Sequence, residues 1–182
     1  MALQDRMIRA IRGEAALFEE VENDQAATTE ALIIVGLGAV SVGVGSALLL
    51  TLIGLPGAGV TALIRGVIGT LVGWAVFSGV AYFVGTRLFH ATATWEEVLR
   101  TLGYAYTPMV IGIAGAIPGV GSLVVLAASL WSLYLAFIAI RSALDVDTGK
   151  AVATILISIV PSWIILALVS APLGGSSLYR MF

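Results

Sequence analysis

Charged side chains are absent from four long stretches of this chain, and that absence limits the possible folds more than any residue that is present. No Asp, Glu, Lys or Arg lies between Glu30 and Arg65, from Gly66 to Thr86, from Thr101 to Ile140, or from Ala151 to Tyr179. An ionised side chain costs roughly 2.5 to 3.5 kcal/mol at the centre of a membrane-spanning helix, so charge-free runs mark segments that can dissolve in hydrocarbon. The first run breaks at Gly54-Leu55-Pro56-Gly57, which leaves Ala31 to Ile53 as one span. The third is too long for one crossing of a core about 30 Å thick at 1.5 Å per residue, and Pro118-Gly119-Val120-Gly121 divides it in two. The last run predicts a span ending near Pro172, followed by a turn-rich tail, Leu173-Gly174-Gly175-Ser176-Ser177.

Composition agrees. The chain is 59% apolar and 11% charged, with a mean hydropathy of +1.05, whereas soluble domains are roughly 45–50% apolar and about 25% charged. Each apolar segment lacks the period-2 alternation of a membrane barrel strand, which predicts helices. The sequence therefore predicts an all-α polytopic membrane protein with five transmembrane helices. The third span, Gly103 to Ile117, is short and carries Pro108, so it is predicted to be kinked or only partly inserted. A net charge of −2, with nine basic residues in total, excludes a nucleic-acid footprint, and the absence of cysteine excludes disulfides and thiolate chemistry.

Basic residues set the expected orientation. With the amino terminus in the cytoplasm, Arg6, Arg9, Arg12, Arg87, Arg100, Arg141 and Lys150 fall inside, against Arg65 and Arg180 outside. This predicts a multi-pass protein of the cell membrane, amino terminus in and carboxy terminus out. No cleavable signal is expected, because Met1 to Arg6 lacks an apolar core.

The segments outside lipid divide the chain into a cytoplasmic part, 1–28, and a transmembrane domain, 29–182. Leu3, Met7, Ile8, Ile11, Ala15 and Phe18 recur at helical spacing, with Arg6, Arg9 and Arg12 around them. That pattern predicts an interfacial amphipathic helix whose arginines meet anionic headgroups. Glu14, Glu19, Glu20, Glu22 and Asp24 follow, and this acidic half should lift away from lipid or face something cationic. Thr94-Trp95-Glu96-Glu97 is a capping-box pattern, and Trp95, Val98, Leu99 and Leu102 share one face, predicting a short interfacial helix before span three. Asp147 or Thr148 is placed to cap the fifth helix. All three charged connections fall on one side.

No motif for catalysis is present, and the Gly-x-Gly pairs at Gly36/Gly38 and Gly43/Gly45 lie inside a spanning segment where no phosphate could be cradled. The expectation is that the protein is not an enzyme and holds no cofactor or metal. Those glycines, with Gly69/Gly73 and Gly115/Gly119, read as sites of close helix approach. His90 reads as an interfacial side chain, and Arg65 as a snorkelling anchor. Glu19, Glu20 and Asp24 could hold a hard cation, but read first as a solvated acidic face. No ionisable residue falls at the middle of a span, which argues against a coupled transporter.

Several short strings are also familiar as a set. They are Leu17-Phe18-Glu19-Glu20-Val21-Glu22-Asn23-Asp24 before the first span, Gly103-Tyr104-Ala105-Tyr106-Thr107-Pro108, Trp131, Ala143-Leu144-Asp145 and Thr148-Gly149-Lys150-Ala151. Together they resemble the Yip1 domain family from about Ile8 to Pro172, with Gly103, Tyr104 and Pro108 as the most specific residues. The resemblance implies a polytopic membrane protein, whose eukaryotic members work in vesicle traffic and bind prenylated Rab-type GTPases and each other. The chain departs from those members in lacking a long hydrophilic amino-terminal region and their Asp-Leu-Tyr-Gly-Pro motif. Phe18-Glu19-Glu20 stands roughly where that motif would fall, and the compact form resembles the prokaryotic branch.

The leading reading is a non-enzymatic, membrane-organising or trafficking scaffold. It would sit in the lipid bilayer and dock an unidentified protein partner on a cytoplasmic surface formed by Glu19, Glu20, Asp24, Asp145 and Asp147. The alternative is a small-solute or ion permease, divalent metals included. Pro108 and Pro161 would then break helices, while Ser129, Ser132, Thr154 and Ser158 line a path. The glycine-rich faces also suggest a homo-oligomer.

Overall fold

A computed structural model describes residues 2–170, all of whose regular elements are helices. In chain order these are α1 (Leu3–Ile11), α2 (Ala15–Asn23), α3 (Ala27–Leu52), α4 (Pro56–Leu88), α5 (Trp95–Ala105), a 3₁₀ stretch (Thr107–Ala116), α6 (Gly121–Ala143) and α7 (Thr148–Ser170). Among the described residues four helices are long and apolar enough to cross a membrane: Ala27–Leu52, Gly57–Leu88, Gly121–Ala143 and Thr148–Leu168. The end of the last predicted span, the tail after it and Arg180 lie outside the described residues.

Segment 103–117, read from sequence as the third span, is not one continuous α-helix. It comprises the end of α5 and the ten-residue 3₁₀ stretch. Pro108, two glycines and the β-branched Val110, Ile111 and Ile113 are poor formers of α-helix, which accounts for the tighter winding. The combined segment follows α3 in the same direction. Gly103 lies against Ala31, Met109 against Gly38, and Gly112 against Val42 and Gly45. Ser41 ties the two together midway. Its hydroxyl donates to the Val110 carbonyl at 2.6 Å and accepts from the Ile113 amide at 2.8 Å. Helix α4 runs antiparallel to α3, with Gly43 near Leu63 and Gly59 near Ala47.

The apolar core is one-ended. Its members are Leu17, Phe18 and Val21 of α2, Ala27 to Val35 of α3, Trp74 and Ala81 of α4, most of α5, Leu135 to Leu144 of α6 and its following turn, and Ala151 and Ile155 of α7. All belong to the end of the bundle that carries α1, α2 and the charged loops. At the other end the helices meet through small residues instead, at Gly43, Gly45, Gly112 and Gly121. This division follows from solvent. Close backbone approach through small residues is the packing mode of helices in lipid, where apolar burial drives no association. Gly38, Gly43 and Gly45 bear out the close-approach reading, but Gly36 and Gly69 meet no neighbour within 4 Å, and Gly119 serves a turn at φ +81°.

Helix α5 is enclosed where the sequence pattern suggested it would lie at an interface. Val98 to Ala105 are all buried, and only its first turn, including Trp95 at 40% exposure, reaches the outside. The capping box forms as read: Thr94 Oγ1 accepts from the Glu97 amide at 3.3 Å, and Glu97 Oε2 accepts from the Thr94 amide at 2.8 Å. Asp147 caps α7 by accepting from the Lys150 amide at 3.0 Å.

Candidate functional site

The charged end of the bundle contains two distinct arrangements, one turned inward and one outward. The inward one centres on Arg6, which projects from α1 and is 7% exposed. Its guanidinium donates to Glu20 at 3.0 Å, Asp24 at 2.7 Å and Glu30 at 3.0 Å. Arg9 donates to Glu14 at 3.1 Å and to Glu20 at 2.8 Å. Burial works against the Arg6 charge, but the bonds to Asp24, Glu30 and Glu20 outweigh it and hold the guanidinium firmly protonated. The same contacts hold Glu20, chiefly through Arg9, and Asp24, chiefly through Arg6, below the usual carboxylate range.

This cage corrects the expectation that the α1 arginines face lipid headgroups. Arg6 and Arg9 turn toward the acidic half of the same segment and toward α3, and of the three only Arg12, at 70% side-chain exposure, points outward. Pairing supplies the reason, since a carboxylate already fixed by the fold is a better partner than a mobile headgroup. For Glu14, Glu20 and Asp24 the cationic object is therefore α1 and its following turn.

The cage also accounts for the motif Gly103, Tyr104 and Pro108. Tyr104 donates its hydroxyl to Glu30. A Cβ on Gly103 would come within 2.5 Å of the Ala31 Cβ, so glycine is what allows α5 to lie against α3 at this level. Pro108 is buried in the first turn of the 3₁₀ stretch, where its missing amide costs nothing. Two helix ends are closed by side chains from neighbouring helices. Arg100 donates through Nε to the Glu22 carbonyl at the end of α2 at 3.0 Å, and Trp131 donates to the Ile11 carbonyl at the end of α1 at 2.8 Å.

The outward arrangement gathers Glu19 and Glu22 from α2, Glu97 from α5 and Asp145 from the turn after α6. Burial, together with the charges of Asp145, Glu97 and Glu19, pushes the Glu22 carboxyl up to about 7, with the Ser142 hydroxyl pulling the other way. Glu19 and Asp145 are exposed, and Glu22 and Glu97 are half-buried. Of the five residues the sequence singled out for docking, the structure brings Glu19 and Asp145 to this face. It places Glu20 and Asp24 in the inward cage, and turns Asp147 to the start of α7 and to Lys150 at 3.8 Å. Glu97 was missed, and Glu22 was read only as part of the acidic stretch Glu19 to Asp24. Glu22 was findable, because it stands three residues after Glu19 on one face of α2; Glu97 was absorbed into its capping role.

Of the hydroxyls in the permease reading, those of Ser132 and Ser158 are buried and have no hydrogen-bond partner among the described residues. Thr154 and Ser129 bond back to the carbonyls of Lys150 and Val125 at 2.8 Å each, within their own helices. The groove between α6 and α7 is lined by Leu130, Leu133, Tyr134, Phe137, Val152, Ile155, Leu156 and Ile159.

A bundle of long apolar helices, with most of its charged residues collected at one end, defines a multi-pass helical membrane protein. The family model for the Yip1 domain matches residues 12–171, most of the chain. The protein belongs to the Yip1 domain family. No curated protein and no solved structure matches it.

Proposed function

We propose that the protein is a non-enzymatic scaffold that docks the basic segment of a partner protein on the outward acidic face. The observation that carries this reading is the convergence of Glu19, Glu22, Glu97 and Asp145, drawn from three separate elements; burial first, and the charges of the other three second, raise the Glu22 carboxyl. Folding brings these like charges together at a cost in stability, and a cationic ligand would relieve it.

In this reading residues 1–28 and the loop after α6 lie in the cytoplasm, residues 29–182 form the membrane domain, and the chain crosses the cell membrane five times. The 3₁₀ segment supplies the third crossing. Its parallel course beside α3 supports that count. Epitope tags at the two ends should be found on opposite sides of the membrane, and tags on the same side would remove the fifth crossing.

The direct test uses the full chain in nanodiscs and a fluorescent Lys/Arg-rich peptide as probe. Binding should be salt-sensitive and should fall with E19Q and D145N. Binding that ignores both salt and these substitutions would dispose of the acidic face as a docking surface. Flux of ions or small solutes into proteoliposomes holding the purified protein would favour the permease instead.

A further inference from the structure

The groove between α6 and α7 combines features that a plain lipid-facing surface lacks. Helix α7 packs chiefly on α4 and diverges from α6, its neighbour in sequence. The wedge left between α6 and α7 has a volume of about 360 Å³, within the roughly 300–1,000 Å³ of small-molecule sites. Its walls are entirely leucine, isoleucine, valine, phenylalanine and tyrosine. A helix from a second copy would need small residues there for close approach, and the walls have none.

Two cations stand beside the groove, one on α6 and one on the turn that packs against α6. Arg141 follows Phe137 by one helical turn on the same face of α6, is exposed, and has no ion pair among the described residues. Arg12 stands in the α1–α2 turn, which packs on α6 beside Tyr134. The neighbouring Gly13 position is so close to α6 that a Cβ there would come within 3.3 Å of Tyr134 Cε1, a groove-lining ring. The Arg12 guanidinium is 70% exposed and makes one long ion pair, to Glu14 at 4.0 Å. Asp147, across the turn, is occupied by the Lys150 amide.

We propose that this groove binds an anionic phospholipid, with an acyl chain between Leu133 and Leu156 and the phosphate between Arg12 and Arg141. The apolar walls select a hydrocarbon chain, and the two exposed guanidiniums select a negative headgroup. The rest of this end of the molecule is acidic and repels such a headgroup, so binding is confined to the groove.

The test is native mass spectrometry of the full chain, released from detergent containing phosphatidylglycerol and phosphatidylcholine of identical acyl chains. Wild type should retain phosphatidylglycerol preferentially. R12Q and R141Q should each reduce that preference about five-fold, the effect of one arginine near an anionic headgroup, and the double variant should retain both lipids equally. L133W with L156W should displace either lipid by filling the groove, whereas R87Q, on α4, should keep the wild-type preference. Equal retention of the two lipids by wild type, or an undiminished preference in R12Q/R141Q, overturns the proposal. So does a disulfide crosslink between copies through L133C in native membranes, which would assign the groove to a second chain.

Discussion

Tyr104 and Arg6 meet on a single atom, Oε2 of Glu30: the phenol and the guanidinium both donate to it. Three segments distant in sequence, α1, α3 and α5, are thereby fixed at the same level of the bundle. Tyr104 itself is fully buried. Replacing it with phenylalanine keeps the ring packing and removes one hydrogen bond to a charged acceptor, a loss of about 1.5–2 kcal/mol. Thermal unfolding of Y104F in detergent should show a lowered midpoint, and an unchanged midpoint would mean the bond contributes nothing net.

Removing Arg6 should have a more local effect. Glu20, Asp24 and Glu30 would lose their common partner, and a broken buried ion cluster costs about 3–5 kcal/mol. Here the carboxylates keep 24% to 35% side-chain exposure, so about 2 kcal/mol is expected for R6M. The α1–α2 hairpin should loosen before the bundle does. Limited trypsin digestion checks this, because Arg12 in the α1–α2 turn should be cut sooner in R6M than in wild type. R6K should not restore protection, since one ammonium cannot reproduce the forked contacts to three carboxylates.

Ser41 marks a place where the sequence was opaque. The charge-free runs revealed the helices because the cost of burying charge applies to every residue of a span. The capping box at Thr94 and the cap at Asp147 were legible because both ends of each contact lie within three residues. Ser41 lies 69 residues from Val110, and nothing local announces that pairing. The same is true of Arg6, whose carboxylates at Glu20 and Glu30 turn an amphipathic pattern away from headgroups, and of α5, whose enclosure depends chiefly on α2, α3, α4 and α6. S41A should free the Val110 carbonyl and the Ile113 amide within the 3₁₀ stretch and cost about 1 kcal/mol. Faster amide exchange at Ile113 in S41A would register it; exchange as slow as in wild type would show that the 3₁₀ stretch holds without the clamp.

Glu22 should make stability depend on pH in the opposite sense to most carboxylates. Its folded value of about 7 lies above the unfolded one, so the folded state prefers the neutral acid. That preference is fully expressed below the unfolded value, near 4.5, and is lost as pH rises through 7. E22Q carries the neutral form at every pH. The variant should match wild type at pH 4.5 and exceed it at pH 8, by on the order of 1 kcal/mol once solvent screening of a half-buried group is allowed for. Unfolding midpoints across that range would check it, and a constant difference between the two proteins would argue against titration of this group.

The two charged arrangements predict opposite phenotypes for residues only one position apart in sequence. Glu19 is exposed and belongs to the outward face; Glu20 binds both Arg6 and Arg9. E19Q, alone or with D145N, removes repulsion among like charges, so it should leave the unfolding midpoint unchanged or slightly raised while weakening capture of a basic peptide. E20Q and D24N remove partners of buried or half-buried arginines, so they should lower the midpoint and expose the Arg12 turn to trypsin, with capture lost only as a consequence of unfolding. Acid should mimic the second pair. Glu20 and Asp24 have lowered pKa values, so their contribution is present above the ordinary carboxylate range and disappears as pH falls through the depressed folded values. The hairpin should therefore loosen in strong acid in wild type and should respond less to acid in E20Q/D24N. Equal effects of E19Q and E20Q on both stability and capture would mean that the inward cage and the outward face are not separate.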